Sequence, residues 1–204
     1  MRKRIITVSR EFASGGHTIA KMVADRLGIA FYDNKLITEV AKSSGLSEEF
    51  IKEHEEYASH SNSFLFQLAM STAGSLGYPS VYQRLYEAQT RVIEDIADQE
   101  PCVIVGRCAD YILRDRADCL HVFIHADMQH RIKHIVEHYG QTEKSPEQRL
   151  KDKDNRRRNY YRFHTDREWG ICTNYHMALD SGLLGDELCA QLIMKAIEDT
   201  SEKQ

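Results

Sequence analysis

No two cysteines stand at C-x-x-C spacing, no apolar run is long enough to cross a membrane, and no segment is repeated or low in complexity. The five cysteines (Cys102, Cys108, Cys119, Cys172 and Cys189) are odd in number and scattered, so they read as reduced thiols of a cytoplasmic protein. An excess of positive charge is also missing. The net charge of -4 at pH 7 offers no surface for a polyanion and argues against nucleic acid as a partner. Met1-Arg2-Lys3-Arg4 followed by Ile5-Ile6 has the basic flank of a signal peptide. The apolar run breaks at Ser9-Arg10-Glu11, however, too early for a signal core or a membrane span. What remains is a chain of 204 residues, 42% hydrophobic and 28% charged, with the size and balance of one globular domain.

Five short apolar runs predict buried strands: Ile5–Val8, Ile29–Tyr32, Cys102–Val105, Leu120–His125 and Met177–Leu179. They are continuous rather than alternating, as expected of a parallel sheet covered on both faces. Helical segments separate them, which predicts right-handed crossovers and a three-layer α/β core around a five-stranded parallel sheet. Pro101 marks the start of the third run, since proline is tolerated there but not at a strand's centre.

The first strand runs into Ser9-Arg10-Glu11-Phe12-Ala13-Ser14-Gly15-Gly16-His17-Thr18, and a helical pattern follows, with Ile19, Met22, Val23 and Leu27 at helical spacing and Gly28 as its stop. Strand, glycine turn and helix is the geometry of a phosphate-binding loop, in which backbone N–H groups and the helix N-terminus face an anion. Against G-x-x-x-x-G-K-[ST], Gly16 and Thr18 fit, Glu11 stands at the first glycine, and His17 replaces the lysine. An unperturbed histidine, with a pKa of about 6.5, is mostly neutral at pH 7 where lysine is charged. A nearby cation, Arg10 or Lys21, would have to substitute. The bland alternative is a tight turn between a buried strand and its helix.

Two stretches exceed what crossovers need. Residues 34–99 are helical in character, with a capped start at Ser47-Glu48-Glu49, a polar break from Tyr57 to Ser63, and a longer amphipathic helix carried by Val81, Leu85, Ala88, Val92 and Ile96. An exposed apolar stripe on that last helix would admit a homodimer. Residues 145–169 begin with Ser145-Pro146-Glu147, a cap followed by proline at the first helical position, and lead into Arg156-Arg157-Arg158. Three consecutive arginines cannot share one helix face, so only one or two can converge on a ligand. Arginine suits bidentate phosphate contacts, and a solvated charged helix is the bland alternative. His134-Ile135-Val136-Glu137-His138 spells H-x-x-E-H, a zinc-site signature, with His130 one turn earlier. An apolar stripe of Met128, Ile132, Ile135, Val136 and Tyr139 predicts that these histidines lie on the opposite, solvated face, so no metal site is expected there.

Taken together, Ser9–Gly16, Phe31-Tyr32-Asp33, Ile104-Val105-Gly106-Arg107-Cys108-Ala109-Asp110, Asp154-x-x-Arg157-x-x-Tyr160-Tyr161, Trp169 and the Tyr175–Gly182 stretch resemble the cytidylate kinase-like family of P-loop kinases over nearly the whole chain. The resemblance implies a nucleoside monophosphate kinase-like domain over residues 1–204, with a core of 1–33 and 100–204, a helical acceptor-binding insertion at 34–99 and an Arg-bearing lid at about 145–169. It implies ATP and Mg²⁺ as cofactors and transfer to a small acceptor such as CMP. Ser14, Gly15, Gly16, His17 and Thr18 would surround the donor phosphates, with the Thr18 hydroxyl toward Mg²⁺. Asp33 would hold the metal's water shell, the alternative being a helix cap. Arg107 would contact the acceptor phosphate, the alternative being an ion pair with Asp110. Arg157 would descend from the lid onto the transferring group. Asp127 and Asp180 are expected to be structural. Two other functions compete with this one: a nucleotide- or anion-binding regulator that keeps the fold but transfers weakly, favoured by Glu11 and His17, and a structural partner that dimerises through the 34–99 helices.

Overall fold

A computed structural model describes residues 4–33, 81–138, 140 and 142–202. Five parallel strands, β1 (Ile5–Arg10), β2 (Ala30–Tyr32), β3 (Cys102–Val105), β4 (Cys119–His125) and β5 (Met177–Asp180), form one sheet in the order β2-β3-β1-β4-β5. β1 is central, with Ile5 level with both Cys102 and Cys119. Each strand lies within two residues of its predicted run. The three inner strands are almost wholly buried, so both faces of each need apolar side chains and the hydrophobic run is unbroken.

Helix α1 (Gly16–Leu27) follows β1, and α2 (Val81–Gln99) precedes β3. The short α3 (Ala109–Ile112) lies between β3 and β4, α4 (Met128–His138) and α5 (Pro146–Thr165) lie between β4 and β5, and α6 (Ser181–Glu202) closes the chain. One face of the sheet carries α1 and α6, whose Ile19, Val23, Ile193 and Ile197 pack on Ile6, Val8 and Val122. The other carries α2 and α3, whose Ile93, Ala97 and Ala109, with Leu113 just after α3, pack on Ile5 and Ile104. Each fully buried isoleucine contributes about 1.5–3 kcal/mol relative to exposure. The predicted signals at two helix ends are realised. Gly28 terminates α1 in the left-handed conformation (φ 63°), and Ser145 caps α5 in a reciprocal capping box with Gln148, ahead of Pro146.

On α2, Ala88, Val92 and Ile96 are buried against the chain's own sheet, so these three side chains present no apolar surface to a second copy. One expectation is corrected. On α4, Met128 and Val136 are exposed while Arg131 and Ile135 are buried. Its His130 and His134 are half-buried and face the start of α6 near Gly182 and Asp186, not open solvent. The fifth residue of the predicted stripe, Tyr139, lies outside the described residues, as do the Ser47 helix start and the 57–63 break. Among the described residues no group of three or more His, Cys, Asp or Glu could hold a metal ion. Nor is any described helix long and apolar enough to cross a membrane.

Candidate functional site

The turn from β1 into α1 is built by close approach. Ala13 (φ 62°) and Gly15 (φ 72°) both adopt the left-handed conformation that lets the chain double back. A Cβ on Gly15 would stand 2.6 Å from Asp186 Oδ1, and one on Gly16 would stand 2.5 Å from Arg10 Cβ and 3.1 Å from Ile124 Cβ. At Gly16 the neighbours are side-chain stems that cannot withdraw, so only glycine fits there, whereas at Gly15 it is the positive φ that favours glycine. Ser14 is buried, its Oγ 3.0 Å from Glu11 O and 3.2 Å from Ile124 O, so its hydroxyl is spent in shaping the loop. Ser181 Oγ lies 2.6 Å from Ser14 O and tethers the turn to the start of α6.

Glu11 does not close the turn. Its carboxylate accepts from Ala126 N at 3.2 Å and lies 3.5 Å from Arg131 Nε, toward the end of β4. There it lines one side of a cleft shared with Phe123, Arg158 and Trp169. A layer of charge supports the turn from the α4 and α5 side. Arg131 Nη1 meets Asp154 Oδ2 at 2.5 Å, and Asp154 Oδ1 accepts Phe12 N at 2.8 Å. Sequence reasoning quoted Asp154 without a role and missed Arg131. The available signal was the spacing of Leu150, Asp154, Arg157, Tyr161 and Thr165 along one face of α5.

His17 and Thr18 are exposed on the first turn of α1. His17 Nε2 is 2.8 Å from Asp33 Oδ2, so the residue in the lysine position is paired with the carboxylate that ends β2. Lys21 is paired with Asp25 one turn further along. The guanidinium of Arg157 reaches the turn directly, Nη1 donating to Arg10 O at 2.7 Å, with its carbon 5.7 Å from the Phe12 ring centre. Of its neighbours, Arg158 leans over Trp169 instead.

Arg107 lies in a strained corner after β3: Gly106, Arg107 and Cys108 have φ of 80°, 56° and 56°. A buried side chain that sequence reasoning missed, Gln89 of α2, holds that corner. Its Nε2 donates to Arg107 O at 2.9 Å, and its Oε1 accepts from Tyr160 OH at 3.1 Å. Asp110 is buried and accepts from Tyr161 OH at 2.7 Å, and burial raises its carboxyl to about 6. The same burial, with Asp110 beside it, pushes the Tyr161 phenol far up, so Tyr161 stays a donor. Trp169 Nε1 donates to Ser9 Oγ at 3.0 Å beneath the same region. Asp127 and Asp180 are helix caps as expected: Asp127 Oδ1 accepts His130 N at 2.8 Å, and Asp180 Oδ1 accepts Gly182 N at 3.0 Å.

The β1–turn–α1 unit, the sheet order and the helix that carries Arg157 back to the turn define a P-loop kinase-like fold. The chain belongs to the cytidylate kinase-like family, whose profile matches residues 5–183. It is 27% identical over 199 residues to a cytidylate kinase of Archaeoglobus fulgidus, covering 95% of this chain and 94% of that protein. Among solved structures, an uncharacterized protein from Eubacterium ventriosum ATCC 27560 superposes with a TM-score of 0.72 at 27% identity, covering 96% of this chain and 99% of the other. A shikimate kinase from Acinetobacter baumannii in complex with shikimate superposes with a TM-score of 0.52 at 16% identity, covering 98% and 96%. The last shares the fold alone.

Proposed function

We propose that this protein transfers the terminal phosphoryl group of ATP to a nucleoside monophosphate, CMP being the favoured acceptor. One observation carries the reading: the lid-helix residue Arg157 is bonded to the backbone of the β1–α1 turn, so a cation from a distant segment meets the loop where phosphates would lie. Family membership and the archaeal cytidylate kinase support CMP as acceptor. In this reading Gly15 and Gly16 admit the donor phosphates, with Ser14 shaping the loop and His17 at its rim. Arg107, at the carboxyl end of β3, meets the acceptor phosphate. Ligands of open α/β sheets bind at that edge. Residues 34–99 form the acceptor-binding insertion and residues 145–169 the lid of a single domain.

The Thr18 hydroxyl and the Asp33 carboxylate are hard oxygen donors of the kind Mg²⁺ accepts, and no all-protein cage is needed because the ion keeps phosphates and waters as ligands. When bound, Mg²⁺ would neutralise phosphate charge. The protein's own part is position and positive charge: the chain orients acceptor and donor for in-line displacement, and Arg157 stabilises charge on the transferring group.

Purified protein is tested with ATP-Mg²⁺ against a panel of nucleoside monophosphates. CMP turnover is expected, and Arg157→Ala should lower kcat/KM at least about tenfold, or about 1.4 kcal/mol. ATP binding without turnover of any acceptor would replace this reading with a second one, a nucleotide-binding regulator. The His17–Asp33 pair favours that alternative, because it occupies both a loop residue and the expected metal-side carboxylate.

A further inference from the structure

We propose that Arg10 is the cation of the phosphate loop, contacting the terminal phosphoryl group of the bound donor in place of the lysine that the loop lacks; this rests on the kinase reading above. The residue at the lysine position, His17, is committed sideways to Asp33. Lys21 is paired with Asp25 and leans on the Phe31 ring, a full turn down α1. Arg10 is the cation whose path the loop itself fixes. It is the last residue of β1, and its stem passes Gly16 so closely that a Cβ there would stand 2.5 Å from Arg10 Cβ and 3.0 Å from its Cγ. Its far end lies against Gly106, where a Cβ would overlap Nη1.

Two glycines from separate segments therefore leave room for one side chain. Their positions define where the charge sits. Gly16 opens α1, and Gly106 follows β3, which pairs with β1 up to Val8 and Val105. The side chain thus spans the carboxyl ends of the two strands, and its guanidinium sits at the end of β3 beside the corner that holds Arg107. Between the loop and that corner is the gap a phosphoryl group would cross from donor to acceptor. Arg157 meets the same residue from above, through Arg10 O.

The chemistry suits arginine. Its guanidinium stays charged at any physiological pH and offers a planar fork to two phosphoryl oxygens. In the transfer an acceptor phosphate oxygen bonds to the γ-phosphorus, while the bond from that phosphorus to the β–γ bridging oxygen breaks. The bridging oxygen leaves with the electron pair as part of ADP. Arg10 moves no proton; it binds the equatorial oxygens as their charge redistributes.

The test compares wild type, Arg10→Gln, Arg10→Lys and the double variant Arg10→Gln/His17→Lys. Binding of Mg²⁺-tripolyphosphate is measured by calorimetry, with thermal melting and CMP kinase kinetics alongside. Arg10→Gln should bind tripolyphosphate about tenfold or more weakly, and lose kcat about 100-fold with acceptor KM within about threefold. Arg10→Lys, which keeps the charge and most of the stem, should stay within about threefold of wild-type affinity, and the double variant should recover about tenfold over Arg10→Gln. Unchanged tripolyphosphate affinity in Arg10→Gln overturns the proposal. Equal losses in Arg10→Gln and Arg10→Lys also overturn it, since the side chain would then act only as packing between two glycines. If Arg10→Gln fails to fold, Arg10→Met, which keeps the bulk of the stem without its charge, takes its place under the same criteria. The tripolyphosphate arm needs no acceptor. Arg10-dependent binding without transfer would sink the kinase reading alone, and transfer indifferent to Arg10 would sink this one alone.

Discussion

Arg131 and Asp154 meet at 2.5 Å on the α4–α5 side of the β1–α1 turn, and the second carboxylate oxygen of Asp154 takes the backbone N–H of Phe12. Both side chains are at most one-tenth exposed. The turn is thus held by the same helix that delivers Arg157 to it, three residues further along. Turn geometry and the position of α5 are one mechanical unit.

Removing one partner of this pair leaves the other charge buried. Asp154→Ala should cost about 3–5 kcal/mol in urea unfolding, because Arg131 loses its carboxylate and Phe12 N its acceptor. Asp154→Asn, which retains an acceptor oxygen, should cost distinctly less. Equal costs would mean that the carboxylate charge carries the whole effect and that the Phe12 hydrogen bond adds nothing beyond it.

How far the sequence discloses this molecule depends on which force placed each residue. Ile5–Val8 and Leu120–His125 were legible because strands buried on both faces must be continuously apolar. Gly28 and Ser145 were legible because helix ends demand specific backbone chemistry. The apolar stripe of α2 had the right period, but periodicity cannot say whether a face meets the chain's own sheet or a second copy. On α4 the pattern misled, since the helix is seated by its buried Arg131, and the Asp154 that receives it lies 23 residues away. Gln89 was illegible for the same reason: its partners Arg107 and Tyr160 are brought to it only by the tertiary fold.

Gln89 ties three segments together, α2, the corner after β3 and α5. Gln89→Leu keeps the volume but leaves Arg107 O and Tyr160 OH without this partner, at a cost of about 1–3 kcal/mol. If Arg107 meets the acceptor, loosening its corner should raise acceptor KM several-fold more than the KM for ATP. Steady-state kinetics at varied CMP and varied ATP separate the two. A parallel rise in both would assign Gln89 to general stability rather than to the acceptor corner.

Asp110 lowers the stability of the fold as pH rises from acid toward neutral. Burial raises its carboxyl to about 6 from an ordinary value of 3.8, so the folded state binds a proton there more tightly than the unfolded chain does. No penalty exists below the unfolded value. It grows as pH rises from about 4 to 6 and is constant above that, with a ceiling of about 3 kcal/mol. Asp110→Asn keeps an acceptor for Tyr161 OH and removes the titration. The stability of this variant relative to wild type should therefore improve by about 1–3 kcal/mol between pH 4 and pH 7.5. A relative stability that stays flat with pH would show that Asp110 ionises in the fold as it does in water.

His164 works in the opposite direction. Its ring stacks on Tyr86 at 4.0 Å between centroids, and burial lowers its pKa to about 4 from 6.5. The unfolded chain takes up a proton as pH falls through 6.5, whereas the folded chain does so only near 4. The stability conferred by the neutral ring is therefore complete above about 6.5 and drains away between there and 4. The residue is only partly screened from solvent, so the loss expected is about 1–2 kcal/mol rather than the full linkage value. His164→Phe keeps a flat ring against Tyr86 and has nothing to protonate. Chemical denaturation from pH 7 to pH 4.5 should show wild type losing more stability than this variant across that window. Parallel curves would locate the acid sensitivity of this protein elsewhere. A steeper fall in the variant would mean that His164 gains a partner on protonation, reversing the sign argued from its burial.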